Sequence, residues 1–281
     1  MDKRQQLKDD FKFYARNCLQ IRTKDQGIKS LILNEAQEYI HERLEKQKSN
    51  TGKVRAIILK GRQQGASTLV GGRFIWLTTF NKGVQGFILT HEGEATNTLF
   101  KMTQRYLENL PVFVKPVIAK DNAKELHFEK LDSGYKVGTA GNKSVGRSQT
   151  IQYFHGSEVA FWMNAGEHTK GVMQAVPDAD GTEVILESTA NGVGNFFHEQ
   201  WKLAESGQSE FQAIFVPWFW QAEYKKKLPD DFMLEPEEHK LQDHYKLTRE
   251  QMYWRRMKIA ELTTDGVDGD KAFKQEYPMN A

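Results

Sequence analysis

Apolar residues come along this chain in short bursts, and the spacing within the bursts changes. Leu7, Phe11, Tyr14 and Leu19 fall near helical spacing and predict an amphipathic helix over residues 1–18. A second helix is expected from Asn34, a residue type that caps helix starts, through Leu44, with a polar loop from Lys46 to Gly52. The pattern then turns to compact runs rich in Val, Ile and Phe at residues 54–59, 84–89, 151–154, 182–186 and 211–216. Each has the length of a strand. Two shorter runs, Leu126–Phe128 and Tyr135–Val137, flank a turn at Asp132–Gly134 and read as a pair of strands. Helix-length segments at about 67–79, 92–109 and 195–204 separate the longer runs. Strands alternating with helices predict an α/β domain whose mostly parallel sheet is flanked by helices. After Pro217 the character changes. Residues 218–281 are charged and helix-like, with Trp218, Trp220 and Trp254 as anchors, and predict a small helical subdomain beside residues 1–217.

One junction carries chemistry. The run Val54–Leu59 ends in Lys60, Gly61, Arg62, Gln63, Gln64, Gly65, Ala66, Ser67 and Thr68, and a helix-like segment follows. Strand, glycine loop, helix is the grammar of a phosphate-binding loop, in which backbone N–H groups wrap phosphates and a hydroxyl reaches Mg²⁺. The usual pattern, G-x-x-x-x-G-K-[ST], is altered here. Ala66 stands where the lysine belongs, and Lys60 stands where the first glycine belongs. A lysine leaving the strand side could bring its ammonium to the β- and γ-phosphates from the opposite direction. An ordinary glycine turn would use the same residues.

Two later strand ends could complete an ATP site. After the run at 151–154 come Ser157 and Glu158. Open α/β sheets place ligands at the carboxyl ends of their strands, and a carboxylate there can polarise an attacking water. The usual pair is Asp-Glu. Ser157 replaces the aspartate and would hold a Mg²⁺ hydration shell only weakly. After the run at 182–186, Ser188, Thr189, Asn191 and Gly192 could sense a γ-phosphate, although such residues also favour plain turns.

Composition narrows the classes. The 281 residues are 39% hydrophobic and 27% charged, which suits one large globular domain or one domain with a small appendage. Net charge is only +2, so any nucleic-acid contact must be a local patch rather than a global field. Lys225–Lys227 is a candidate patch, though such a triplet is usually a solvated face. A single cysteine, Cys18, excludes a disulfide framework, fits a reducing cytosol and reads as a small buried residue. No secretory signal is expected, and no apolar run approaches the roughly 20 residues of a membrane span.

Taken in order, Lys60–Thr68, His155–Trp162 and Glu187–Glu199 resemble the motifs of the large terminase subunit of tailed bacteriophages and prophages, the ATP-driven motor that packs DNA into an empty capsid. The segment Leu33–Gln37 resembles that family's adenine-recognition segment, and the likeness runs from about residue 28 to about residue 278. It implies a P-loop NTPase of the ASCE type with a helical lid or linker over residues 218–281, using ATP and Mg²⁺. Lys60 resembles the phosphate-binding lysine, a recognised variant in the family, Ser67 the Mg²⁺ ligand and Glu158 the catalytic carboxylate. Gln37 resembles the residue that reads the adenine edge. Ser188 and Thr189 with Asn191 and Gly192 resemble the motif coupling hydrolysis to movement. Arg62, or Arg147 acting on the same or a neighbouring subunit, would be the arginine finger. The Ser157 departure weakens the case for direct Mg²⁺ ligation at that position.

The likeness also implies partners: double-stranded DNA, the portal protein, the small terminase subunit, and further copies in a ring on the procapsid, all in the cytoplasm of an infected or lysogenic host. Nothing in the chain suggests a ring held together in solution, so a monomer is expected there. The family's second domain, a metal-dependent nuclease, is expected to be absent. Asp230, Asp231, Asp265, Asp268 and Asp270 rest on no nuclease strand pattern and read as loop and cap residues. Two alternatives stay open: a helicase-like ATPase on the same sheet, and a nucleotide-binding scaffold that does not hydrolyse, toward which Ala66 and Ser157 both lean.

Overall fold

A computed structural model describes residues 2–24, 27–122, 124–140 and 150–281. The N-terminal segment is two helices rather than one, α1 (Lys3–Asp9) and α2 (Phe11–Cys18). Asp10 breaks the run because it serves as a cap: its backbone is extended and its carboxylate accepts the Phe13 N–H at 2.9 Å. A small antiparallel ribbon follows, β1 (Gln20–Arg22) with β2 (Ile28–Ser30). Helix α3 (Glu35–Thr51) starts where Asn34 predicts, in a capping box with Gln37. It runs through the expected polar loop and stops only at Gly52, which is left-handed. The polar residues at its end are its solvent face.

The body is one eight-stranded sheet. In chain order its elements are β3 (Val54–Lys60), α4 (Ala66–Phe80), β4 (Gln85–Thr90), α5 (Gly93–Glu108), β5 (Ile118–Asn122), β6 (Glu125–Phe128), β7 (Ser133–Thr139), β8 (Tyr153–Ser157), α6 (Ala165–Met173), β9 (Glu183–Ser188), α7 (Phe196–Glu205) and β10 (Gln212–Val216). In space the strands run β10-β3-β9-β8-β4-β7-β6-β5. The first six are parallel, and β6 and β5 close one edge as an antiparallel pair. Strand β9 lies between β3 and β8, so the two strand ends that carry Lys60 and Glu158 are separated by one strand and face each other across it.

Helices cover both faces. One face packs Val54, Ala56, Ile58 and Ile185 against α3, α4 and α5. The other packs Ile57, Val184 and Leu186 against α6 and α7. Helix α4 is apolar nearly all round and buried from Leu69 to Thr79. A helix of that kind belongs inside a domain. The tail forms α8 (Pro236–Tyr245), α9 (Arg249–Leu262) and α10 (Gly269–Glu276). These pack their own cluster around Trp218, with Tyr224, Leu247, Met252 and Phe273. Among the described residues no helix is long and apolar enough to cross a membrane.

Candidate active site

Strand β3 delivers its last residue, Lys60, to the carboxyl edge of the sheet. The chain then turns through Gly61–Gly65 and enters α4. Gly65 caps the helix at φ +81°, and a side chain there would meet the Gln37 amide at 2.7 Å. The left-handed backbone favours glycine, and any side chain would have to push the Gln37 amide aside. The first N–H groups of α4 open into a cleft of about 440 Å³ lined by Lys60, the loop, Ser67, Thr68 and Glu158. A helix start with free N–H groups favours an anion.

Two carboxylates converge on Lys60. Its Nζ donates to Glu158 Oε1 at 2.9 Å and lies 3.1 Å from Glu187 Oε2. Burial alone would lower the lysine's pKa, but the charges of Glu187 and Glu158 outweigh it and hold the pKa above the usual lysine value. The ammonium is thus charged at neutral pH. Glu158 sits immediately after β8 in a left-handed conformation, φ 55°, unusual for a residue with a side chain. That turn directs it back toward β9. Its Oε2 accepts from Ser188 Oγ and from the Thr189 N–H, each at 3.4 Å. Ser188 Oγ in turn accepts the Ala160 N–H at 3.2 Å, and Asn191 Nδ2 donates to Ala160 O at 3.0 Å. The strand ends carrying Glu158 and Ser188–Asn191 are therefore stitched together. Gly192, left-handed and exposed, lies just beyond.

Glu187 is the residue that sequence reasoning misses. The apolar run ends at Leu186, whereas β9 continues through Ser188 and buries Glu187 completely. Its Oε1 accepts from Ser67 Oγ at 2.7 Å and lies 3.2 Å from His155 Nε2. Its Oε2 is held by the Lys60 ammonium at 3.1 Å. Burial disfavours its charge, yet Lys60, His155 and Ser67 together hold its pKa below the usual glutamate range. The signal is present as period-two spacing. Glu183, Ile185 and Glu187 share one strand face, and strands buried on both faces rarely carry charge without a partner.

Other expected residues fall in varied places. Ser67 is half-buried at the cleft and Ser157 is buried as the last residue of β8; its carbonyl accepts from Trp162 Nε1 at 2.9 Å. Gln37 is buried with its amide engaged: Oε1 accepts the Asn34 N–H at 3.0 Å and Nε2 donates to Gly65 O at 2.9 Å. It braces the loop, with one N–H and one lone pair left for any ligand. Arg62 is exposed and pairs with Glu276 of α10 at 3.1 Å. Its carbonyl accepts from Tyr224 Oη at 2.7 Å, that of Gln63 from Gln221 Nε2 at 2.8 Å, and Gln64 Nε2 donates to Trp218 O at 3.0 Å. The loop is thereby gripped by the segment after β10. Thr68 gives its carbonyl to Tyr106 Oη at 3.1 Å. Arg147 lies outside the described residues. An Mg²⁺ ion fits the chemistry of the donor set, because the Ser67 hydroxyl and the Glu187 carboxylate are hard oxygen donors beside a phosphate-sized cleft.

No family model matches the sequence. Solved structures do match the fold. The HK97 bacteriophage large terminase aligns over 98% of this chain at TM-score 0.69 and 12% identity, and this chain spans 55% of its length. The large terminase ATPase domain of Thermus phage P74-26 aligns over 87% of this chain and 92% of its own, at TM-score 0.58 and 16% identity. The large terminase of another thermophilic bacteriophage, solved in complex with ADP, aligns over 75% of this chain and 49% of its own, at TM-score 0.53 and 11% identity. The fold is that of the P-loop ATPase domains of phage large terminases.

Proposed function

We propose that this chain is the ATPase motor domain of a large terminase subunit, hydrolysing ATP to drive double-stranded DNA into a procapsid. The observation that carries the reading is the meeting of Lys60 and Glu158 over the loop cleft, on a sheet that aligns with terminase ATPase domains. The N–H groups from Gly65 to Ser67 cradle phosphate oxygens, and Lys60 reaches the β- and γ-phosphates. Ser67 holds Mg²⁺, which when bound neutralises charge on the phosphates. Glu158 orients the attacking water. An arriving phosphate offers Lys60 a new anionic partner and so releases Glu158 for that water. Ser188 and Thr189, bonded to Glu158, then feel the change and pass it through Asn191 and Gly192. The grip of Gln221 and Tyr224 on the loop carries the same motion into residues 218–281, the lid. Gln37 contacts adenine with its remaining amide capacity, and Arg62 or Arg147 supplies the finger.

The wider assembly is part of the reading: portal protein, small terminase subunit and a ring of copies on the procapsid, in the host cytoplasm, with a monomer in free solution. Likeness of fold supports these partners as a class.

Glu158→Gln tests the enzymatic core. It should keep ATP affinity within about threefold and lose turnover by about 10²–10⁴-fold, the worth of a positioned base. Equal loss of binding and turnover would make Glu158 a metal or structural group. ATP binding by the wild type with no turnover at all would favour the non-hydrolysing scaffold, toward which Ala66 and Ser157 lean. Strand separation coupled to turnover would favour the helicase.

A further inference from the structure

A strand-end aspartate beside the loop hydroxyl is missing, and Ser157 occupies its place on β8. Ser157 and Glu187 are register partners across β8 and β9. Register partners in a parallel pair point to the same face, here the face of α4 and Ser67. Glu187 already does what the aspartate's place would demand. It accepts the Ser67 hydroxyl at 2.7 Å and stands between Lys60 and His155. Its second buried oxygen is held by the Lys60 ammonium, 3.1 Å away and shared with Glu158.

We infer that Glu187 is the carboxylate that positions Ser67 and receives the hydration shell of the nucleotide's divalent cation, a role moved from β8 to the neighbouring strand. The inference rests on the ATP-site reading above. By accepting the hydrogen bond of the Ser67 hydroxyl, Glu187 turns the hydroxyl lone pairs outward to the cation. Once a phosphate draws Lys60 away, its second oxygen is free to accept from a metal-bound water. The displaced lysine and the displaced carboxylate then form one rearrangement: these two groups stand on β3 and β9, which are hydrogen-bonded neighbours, while Glu158 keeps its place after β8.

The test compares ATPγS affinity in Mg²⁺ and in EDTA, for wild type, Glu187→Gln and Glu187→Asp, with Mn²⁺ binding read by electron paramagnetic resonance. In the wild type, metal should tighten ATPγS by at least about tenfold. Glu187→Gln should lose most of that increment and about 10–100-fold in Mn²⁺ affinity, while affinity in EDTA changes by less than about threefold. Glu187→Asp, which keeps the charge but withdraws it by a methylene, should lose part of the increment. It serves as the reporter if Glu187→Gln does not fold. An undiminished increment in whichever variant folds overturns the inference and leaves the ATP site standing. Absence of ATPγS binding in the wild type overturns the ATP site itself.

Discussion

Glu183 and Glu187 stand four residues apart on the same face of β9, both completely buried and both paired with a cation. Their surroundings differ in one respect. Glu183 is closed: Arg73 Nε and a terminal nitrogen reach its two oxygens at 2.7 and 2.8 Å, Lys48 adds a bond at 2.9 Å, and Arg73 also holds Glu45. A planar guanidinium matches a carboxylate fork and leaves nothing over. Glu187 is open: its cation is a lysine, a compact charge on a flexible stem, shared with Glu158 and standing at a cleft. The same strand thus carries a guanidinium-locked carboxylate at its entry and a lysine-paired one at its exit. Burial and pairing are common to both; what differs is whether the cation is a fixed guanidinium fork or a flexible ammonium shared with a second carboxylate.

The largest effect expected from breaking this comparison lies at the closed end. Arg73→Ala leaves Glu183 buried with only Lys48, and should cost about 3–5 kcal/mol of unfolding free energy. Denaturant unfolding measures it, and ATP affinity of the folded fraction should not change. Loss of ATP binding at unchanged stability would erase the distinction between the two ends.

Acid sharpens the contrast next. Arg73 and Lys48 offset the burial of Glu183 and hold its pKa at about 2, below the ordinary 4.5. A carboxylate depressed on folding contributes stability above its unfolded pKa and loses it as pH falls. The loss here falls between about pH 4.5 and 2, and a depression of that size is worth about 3 kcal/mol. Glu183→Gln should flatten that acid limb by a comparable amount. An acid limb as steep as wild type would contradict the pairing.

The smallest effect concerns the grip on the loop. Tyr224→Phe removes only the hydrogen bond to the Arg62 carbonyl and should cost about 1 kcal/mol of stability. Turnover should fall more than ATP affinity if the grip carries motion. A change in stability with turnover untouched would reduce Tyr224 to a packing residue.

Much of this is legible in the sequence. The apolar runs locate the principal parallel strands because strands covered on both faces read as continuous apolar stretches. The glycine loop is legible because an apolar run that stops at Gly61 and Gly65, just before a helix start, demands a tight turn there. Three things are hidden for physical reasons. The helix break at Asp10 looks like a polar position on an amphipathic helix until its capping bond is seen. Glu187 looks like the end of an apolar run, since the side chains that meet its carboxylate come from β3, α4 and β8. The bonds from Gln221, Gln64 and Tyr224 join side chains to backbone carbonyls, and no residue-type pattern announces a carbonyl.

The central claim is that Lys60, on the strand side of the loop, takes the part of the missing lysine at Ala66. Steady-state ATP turnover by wild type, Lys60→Ala and the double variant Lys60→Ala with Ala66→Lys tests it most directly, with folding confirmed by circular dichroism. Wild type should turn over ATP. Lys60→Ala should lose at least about 10³-fold, the scale of a cationic clamp on a transferring phosphoryl group. The double variant should stay inactive, because the carboxylates of Glu158 and Glu187 are arranged around the Lys60 position. Wild-type turnover in Lys60→Ala, or full rescue by the lysine at position 66, would contradict the account.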